Sequence, residues 1–172
     1  MSKGNIRAKF RCMGVEKTWD GVEIVRFQAV YANKNHSVCE ENKSFWDATP
    51  SGELTFRITN PVSHGLAENG EYYYLDFNED LESSINVQPT YMVAMVVEFI
   101  GKHRSGQIDI HLNAIASGWD DKERKSIPHP LNGALWQAWA QGDLKMSVVN
   151  KTASAKFEPG MEWRLEIVKA PE

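Results

Sequence analysis

The chain carries the same pattern twice. Glu41 to Phe77 aligns with Leu131 to Ile167 without a gap, each residue facing the one 90 positions later. Nine of the 37 pairs are identical: Asn42/Asn132, Trp46/Trp136, Ala48/Ala138, Gly52/Gly142, Leu54/Leu144, Asn60/Asn150, Glu68/Glu158, Gly70/Gly160 and Leu75/Leu165. Others keep their character, among them Phe56/Met146, Ile58/Val148, Tyr73/Trp163 and Asp76/Glu166. Apolar, turn and acidic positions agree together, which marks an internal duplication. A unit of about 80 residues is small for a core of its own. Two such units are expected to bury a shared face, with approximate twofold symmetry or against a partner that itself repeats.

Upstream the alignment needs small shifts. Ile6, Ala8, Phe10, Cys12 and Gly14 fall over Val93, Met95, Val97, Phe99 and Gly101, 87 positions later. Phe27-Gln-Ala-Val falls over Leu112-Asn-Ala-Ile, 85 positions later, which implies a shorter hairpin loop in the second copy. The copies then span residues 4–79 and 91–170, joined by an acidic linker over 80–90 that contains Pro89.

Each copy reads as four strands and one helical piece. Ile6, Ala8, Phe10 and Cys12 alternate with Arg7, Lys9 and Arg11, the period of a half-buried strand. Asp20-Gly21 supplies a tight turn into a second alternating run, Val22 to Tyr31. Met92–Ile100 and Gln107–Ala116 repeat that hairpin. Leu131, Ala134, Leu135 and Ala138 then fall at helical spacing, with Gly142 as a stop, while Asn42 caps a shorter turn through Trp46. Strands at Leu54–Ile58 and Leu144–Val148, and at Glu71–Phe77 and Glu162–Ile167, complete the copies. The expected fold is mainly β (a β-rich α+β arrangement): two tandem β-β-α-β-β units forming small barrels or sandwiches.

The segment Glu41-Asn-Lys-Ser-Phe-Trp-Asp-Ala-Thr-Pro-Ser-Gly, with Thr59-Asn-Pro and Glu68-Asn-Gly-Glu-Tyr-Tyr-Tyr-Leu-Asp-Phe after it, resembles a small family of uncharacterised tailed-bacteriophage proteins. Those are mostly single units with the pattern ENKxFxxATPSGxL…NPxxxxxFxxGKxYYxDF. The resemblance covers residues 5–79, and residues 91–170 only through the internal repeat. It implies a phage origin and no particular activity. The second copy has Ala138-Trp-Ala-Gln-Gly in place of Ala-Thr-Pro-Ser-Gly, so that loop is not expected to serve one role twice.

Composition narrows the function classes. There are 23 acidic and 19 basic residues among 172, a net charge of −4, which argues against binding nucleic acid through overall basicity. The N-terminus has no apolar signal region, and the longest apolar run, near Tyr91 to Val97, is too short to span a bilayer. The expectation is a protein of the virion or the host cytoplasm, with Cys12 and Cys39 reduced. The five histidines show no metal-ligand spacing, and neither a nucleophile–base pattern nor a phosphate-cradling glycine loop is present. No enzyme activity, catalytic residue, cofactor or metal is therefore expected.

Aromatic residues are the remaining candidates. Trp46, Trp136, Tyr73 and Trp163 occupy equivalent positions in the two copies and are read as core. Trp19, Tyr72, Tyr74, Trp119 and Trp139 are the candidate partner-binding residues. Arg7, Lys9 and Arg11 share a strand face and are the candidate nucleic-acid contacts, beside rings on which bases could stack. The leading expectation is a phage structural or interaction protein, a capsid decoration (cement) or connector, whose partners are phage structural proteins, a repeated capsid lattice among them. A single-stranded nucleic-acid-binding protein is the alternative, and an early host-takeover or anti-defence protein a third. No membrane partner is expected.

Overall fold

The computed structural model describes residues 6–46, 51–81, 89–137 and 140–171. Ten strands form in chain order: β1 (Ile6–Lys17), β2 (Glu23–Ala29), β3 (Gly52–Ile58), β4 (Tyr72–Asn78), β5 (Tyr91–Lys102), β6 (Ile108–Ala114), β7 (Ala116–Asp120), β8 (Lys125–Pro128), β9 (Gly142–Val148) and β10 (Glu162–Lys169). Eight of them close an antiparallel barrel in the order β1-β2-β3-β9-β6-β5-β10-β4, and β7 and β8 form a separate hairpin. The chain is thus mainly β, and the two copies close one barrel between them. Each contributes four contiguous strands, β4-β1-β2-β3 and β10-β5-β6-β9.

The register locates a pseudo-twofold axis. Leu54 faces Leu144 across β3 and β9, and Asp76 faces Glu166 across β4 and β10. Each is a pair of residues equivalent under the duplication, and equivalents face one another only where a twofold axis passes between them. The axis therefore crosses the barrel from one seam to the other and exchanges its ends. Closure leaves neither copy an unpaired strand in the barrel.

The same register corrects the upstream alignment. Ile6 faces Phe77 and Tyr91 faces Ile167, so β1 and β5 are related by 85 positions, as β2 and β6 are. Both copies then bulge at the same place, between Cys12 and Gly14 and between Val97 and Phe99. The two hairpin turns, 18–22 and 103–107, are equally long, each with its glycine at positive φ (Gly21 84°, Gly106 87°). A slip of two residues keeps every inward side chain inward, so alternation alone cannot detect it.

The helical piece of each copy is a 3₁₀ segment, Glu40–Ser44 in the first and Pro130–Asn132 in the second, followed in the second by turns rather than by the helix expected from Leu131 onward. Its asparagine explains the shape. Asn42 accepts from Lys9 N (2.6 Å) and donates to the Lys9 (2.9 Å) and Val30 (2.7 Å) carbonyls. Asn132 makes the equivalent bonds with Ala94 and Ile115, at 2.7, 3.1 and 3.2 Å. Each segment is thereby pinned to its own hairpin while its tryptophan reaches the other copy. Trp46 donates to the Ser147 carbonyl and Trp136 to the Arg57 carbonyl. The two copies are interlocked at both ends.

The barrel interior is filled. Phe10, Phe27, Leu54, Phe56, Tyr73, Leu75, Phe77 and Met95 are fully buried with Trp136 and Trp163. Rings meet edge to face, as Phe27 and Tyr73 do at 5.3 Å and Phe56 and Trp136 at 5.9 Å. Polar residues such as Arg26, Glu53, Arg57 and Lys145 alternate outward, the reverse of the pattern of an outer-membrane barrel. Among the described residues no helix is long and apolar enough to cross a membrane.

Candidate functional site

With the interior filled, binding chemistry belongs to the outer wall and the two ends. On the wall, β1 and β4 pair so that Arg7 faces Asp76, Lys9 faces Tyr74 and Arg11 faces Tyr72. Side chains of one strand face stand together, which builds a ladder of alternating cations and rings. The Arg7 guanidinium lies 4.3 Å from the Tyr74 ring centre, Lys9 Nζ 5.4 and 5.6 Å from those of Tyr74 and Tyr72, and the Arg11 guanidinium 5.7 Å from that of Tyr72. Tyr73, between them, points into the core. Arg7, Lys9, Arg11, Tyr72 and Tyr74, read from the sequence for two different partners, thus form one patch.

Each cation is engaged within the protein. Arg7 donates to both Asp76 carboxylate oxygens, Nε to Oδ1 at 2.6 Å and Nη2 to Oδ2 at 2.8 Å. Lys9 is only 7% exposed and donates to Asn33 Oδ1 at 2.6 Å. Asn33 belongs to a folded loop bridged by Ala32 and Val38, with His36 in the left-handed region (φ 67°). Arg11 Nε donates to the Gly70 carbonyl at 3.0 Å. Between loop and wall lies a groove of about 440 Å³ lined by Lys9, Asn33, Asn35, Glu41, Tyr72 and Tyr74. Burial, then the Glu41 carboxylate, pushes the Tyr74 phenol up, and burial raises the Cys39 thiol to about 11. Cys12 and Cys39 are both free thiols.

The tryptophans lie elsewhere. Trp19, at the tip of the β1–β2 turn, is 99% exposed, and Trp119, on β7, is half-exposed. Strand directions place both at the barrel end where β1 and β6 finish. Trp139 lies outside the described residues. Asn33 and Glu41 were not singled out from the sequence, and Asp76 only as an acidic position kept in both copies. Asn42 carried a visible signal, an asparagine kept in both copies.

No family model and no curated protein matches this chain. Its two copies can be compared with each other. They agree in the core and differ at the ends, where Trp19, Val62 and Leu66 are exposed at one end and their equivalents Arg104, Thr152 and Lys156 are exposed at the other. The inserted β7–β8 hairpin adds Trp119 and Ile127, both exposed, to the apolar end. Among the described residues no group of three or more His, Cys, Asp or Glu side chains could hold a metal ion.

Proposed function

We propose that this chain is a bacteriophage protein that works by binding rather than catalysis, as an accessory component of the virion, a capsid decoration or connector protein. The observation that carries the reading is the difference between the ends of a duplicated barrel. A symmetric scaffold with exposed apolar side chains, Trp19 foremost, at one end and polar ones at the equivalent positions of the other suits a protein that meets two unlike surfaces. A fully exposed tryptophan is costly to leave in water and is a preferred anchor at protein interfaces. The phage assignment rests on the resemblance of residues 5–79.

Mass spectrometry of density-purified particles tests this reading. It predicts the protein in stoichiometric amounts in wild-type particles, and strong depletion with Trp19→Ala. Because Trp19 is 99% exposed, that variant should keep its stability within about 0.5 kcal/mol. Absence of the protein from clean particles would contradict it.

The ladder of Arg7, Lys9, Arg11, Tyr72 and Tyr74 favours a second reading, a single-stranded nucleic-acid-binding protein. Against it, Asp76 balances Arg7 and Asn33 holds the buried Lys9. A salt-dependent titration with single-stranded DNA separates the two readings, since phosphate contacts must give an affinity that falls steeply with salt.

A further inference from the structure

The end that carries Arg104 and Lys156 contains a second cavity. It has a volume of about 410 Å³ and lies between the β5–β6 turn and the short helix α1 (Lys151–Ser154), lined by Ile100, Ile108, Phe157, Lys102, His103 and Lys151 among others. Its floor is apolar and fixed, for Phe157 is buried against Trp163 (5.0 Å between ring centres) and Phe77 (5.5 Å). Its rim is cationic. Lys102 and Lys151 are exposed and, like nearby Arg104 and Lys156, have no acidic partner among the described residues. His103 differs, being bonded to Asp109 at 2.7 Å.

The twofold-related place in the first copy is plugged. There Glu23, 1% exposed, holds the Gly65 N–H with both carboxylate oxygens at 3.0 and 3.1 Å. His64 Nε2 lies 2.9 Å from the Ile58 carbonyl oxygen beside it. Glu23 is replaced by Ile108 and His64 by Ser154 in the second copy. Those two exchanges remove an internal carboxylate and a ring, and Phe157 stands where the first copy has the small buried Ala67, so the space beneath Lys102 and Lys151 has an apolar floor.

We propose that this cavity binds a small amphipathic anion: an apolar chain on the Ile100, Ile108 and Phe157 floor, with a carboxylate held at the rim by Lys102 and Lys151. The floor supplies affinity through burial, and the lysines supply the preference for a negative head over a neutral one.

Titration calorimetry of the full chain with decanoate, decanol and acetate tests this. The expected result is saturable decanoate binding at one site per chain, weaker binding of decanol, and none of acetate. Replacing both rim residues, Lys102→Ala with Lys151→Ala, should weaken decanoate about ten-fold, as expected for two exposed charge pairs, and leave decanol unchanged. Ser154→His, which restores the ring of the first copy's plug, should weaken both. Absence of saturable decanoate binding, equal affinity for decanoate and decanol, or a lysine variant that binds decanoate normally would overturn the proposal. The lysine variant changes only exposed side chains, so the test stands even if Ser154→His fails to fold.

Discussion

At the scale of single residues, the paired asparagines do the most with the least. Each satisfies three backbone groups that would otherwise be stranded as the chain leaves a hairpin. Asn42→Ala should therefore cost about 3 kcal/mol, and Asn132→Ala the same to within about 1 kcal/mol, measured by urea unfolding. A large difference would mean that the two clamps are not equivalent. Buried acids set a pH dependence. Burial raises Cys39 to about 11 and pushes Cys12, Tyr73 and Tyr91 the same way. In the unfolded chain these groups ionise near their ordinary values, about 8.5 for cysteine and 10 for tyrosine. The folded protein keeps protons that the unfolded chain releases, so this stability is complete below about pH 8.5 and is lost as pH rises through 9 to 11. Urea midpoints at pH 7 and pH 10 check the sign, with the lower one predicted at pH 10. Asn42 and Asn132 were visible in the sequence as an aligned identity, but their role was not, since what they bond lies a strand away.

Among the elements, β3 and β9 pack closely at the seam. Gly142 lies on β9 opposite Phe56, and an added Cβ would stand 2.8 Å from Phe56 Cδ1 and 3.2 Å from Trp136 Cη2. Its equivalent Gly52 is looser, at 3.0 Å from Phe10 Cζ and 3.4 Å from the flexible Met146 Cγ. Gly142→Ala should cost about 1–3 kcal/mol and more than Gly52→Ala, a ranking that thermal melts would reverse if the seam were less rigid than this. Strands were legible because inward and outward residues alternate. The register of β1 against β5 was not, because a two-residue slip preserves that alternation. The expected second-copy helix failed for another reason: Leu131, Ala134 and Leu135 have helical spacing, but Asn132 and Trp136 are committed to backbone groups of other strands. The β1–β4 ladder was half legible. Sequence placed Arg7, Lys9 and Arg11 on one face near aromatic rings, and the pairing of β1 with β4 identifies those rings as Tyr72 and Tyr74.

For the whole molecule, the central claim is that two copies share one barrel, neither of them closed alone. Leu54 against Leu144 and Asp76 against Glu166 are the two seams, and the tryptophans cross between copies at both ends. The duplication pointed to shared burial from the sequence, but which strands would meet at the seams required the register. Shared closure also explains how the interior can stay twofold while the ends diverge, since the exposed residues at the ends carry little of the packing. The most direct measurement is sedimentation of the first copy alone, residues 4–79, with circular dichroism across a concentration series. An isolated copy has half a barrel, so it should be unfolded when dilute and gain β structure only as it dimerises, Leu54 then facing Leu54 of another molecule of the same fragment. A first copy that stays monomeric and fully folded at every concentration would contradict the account.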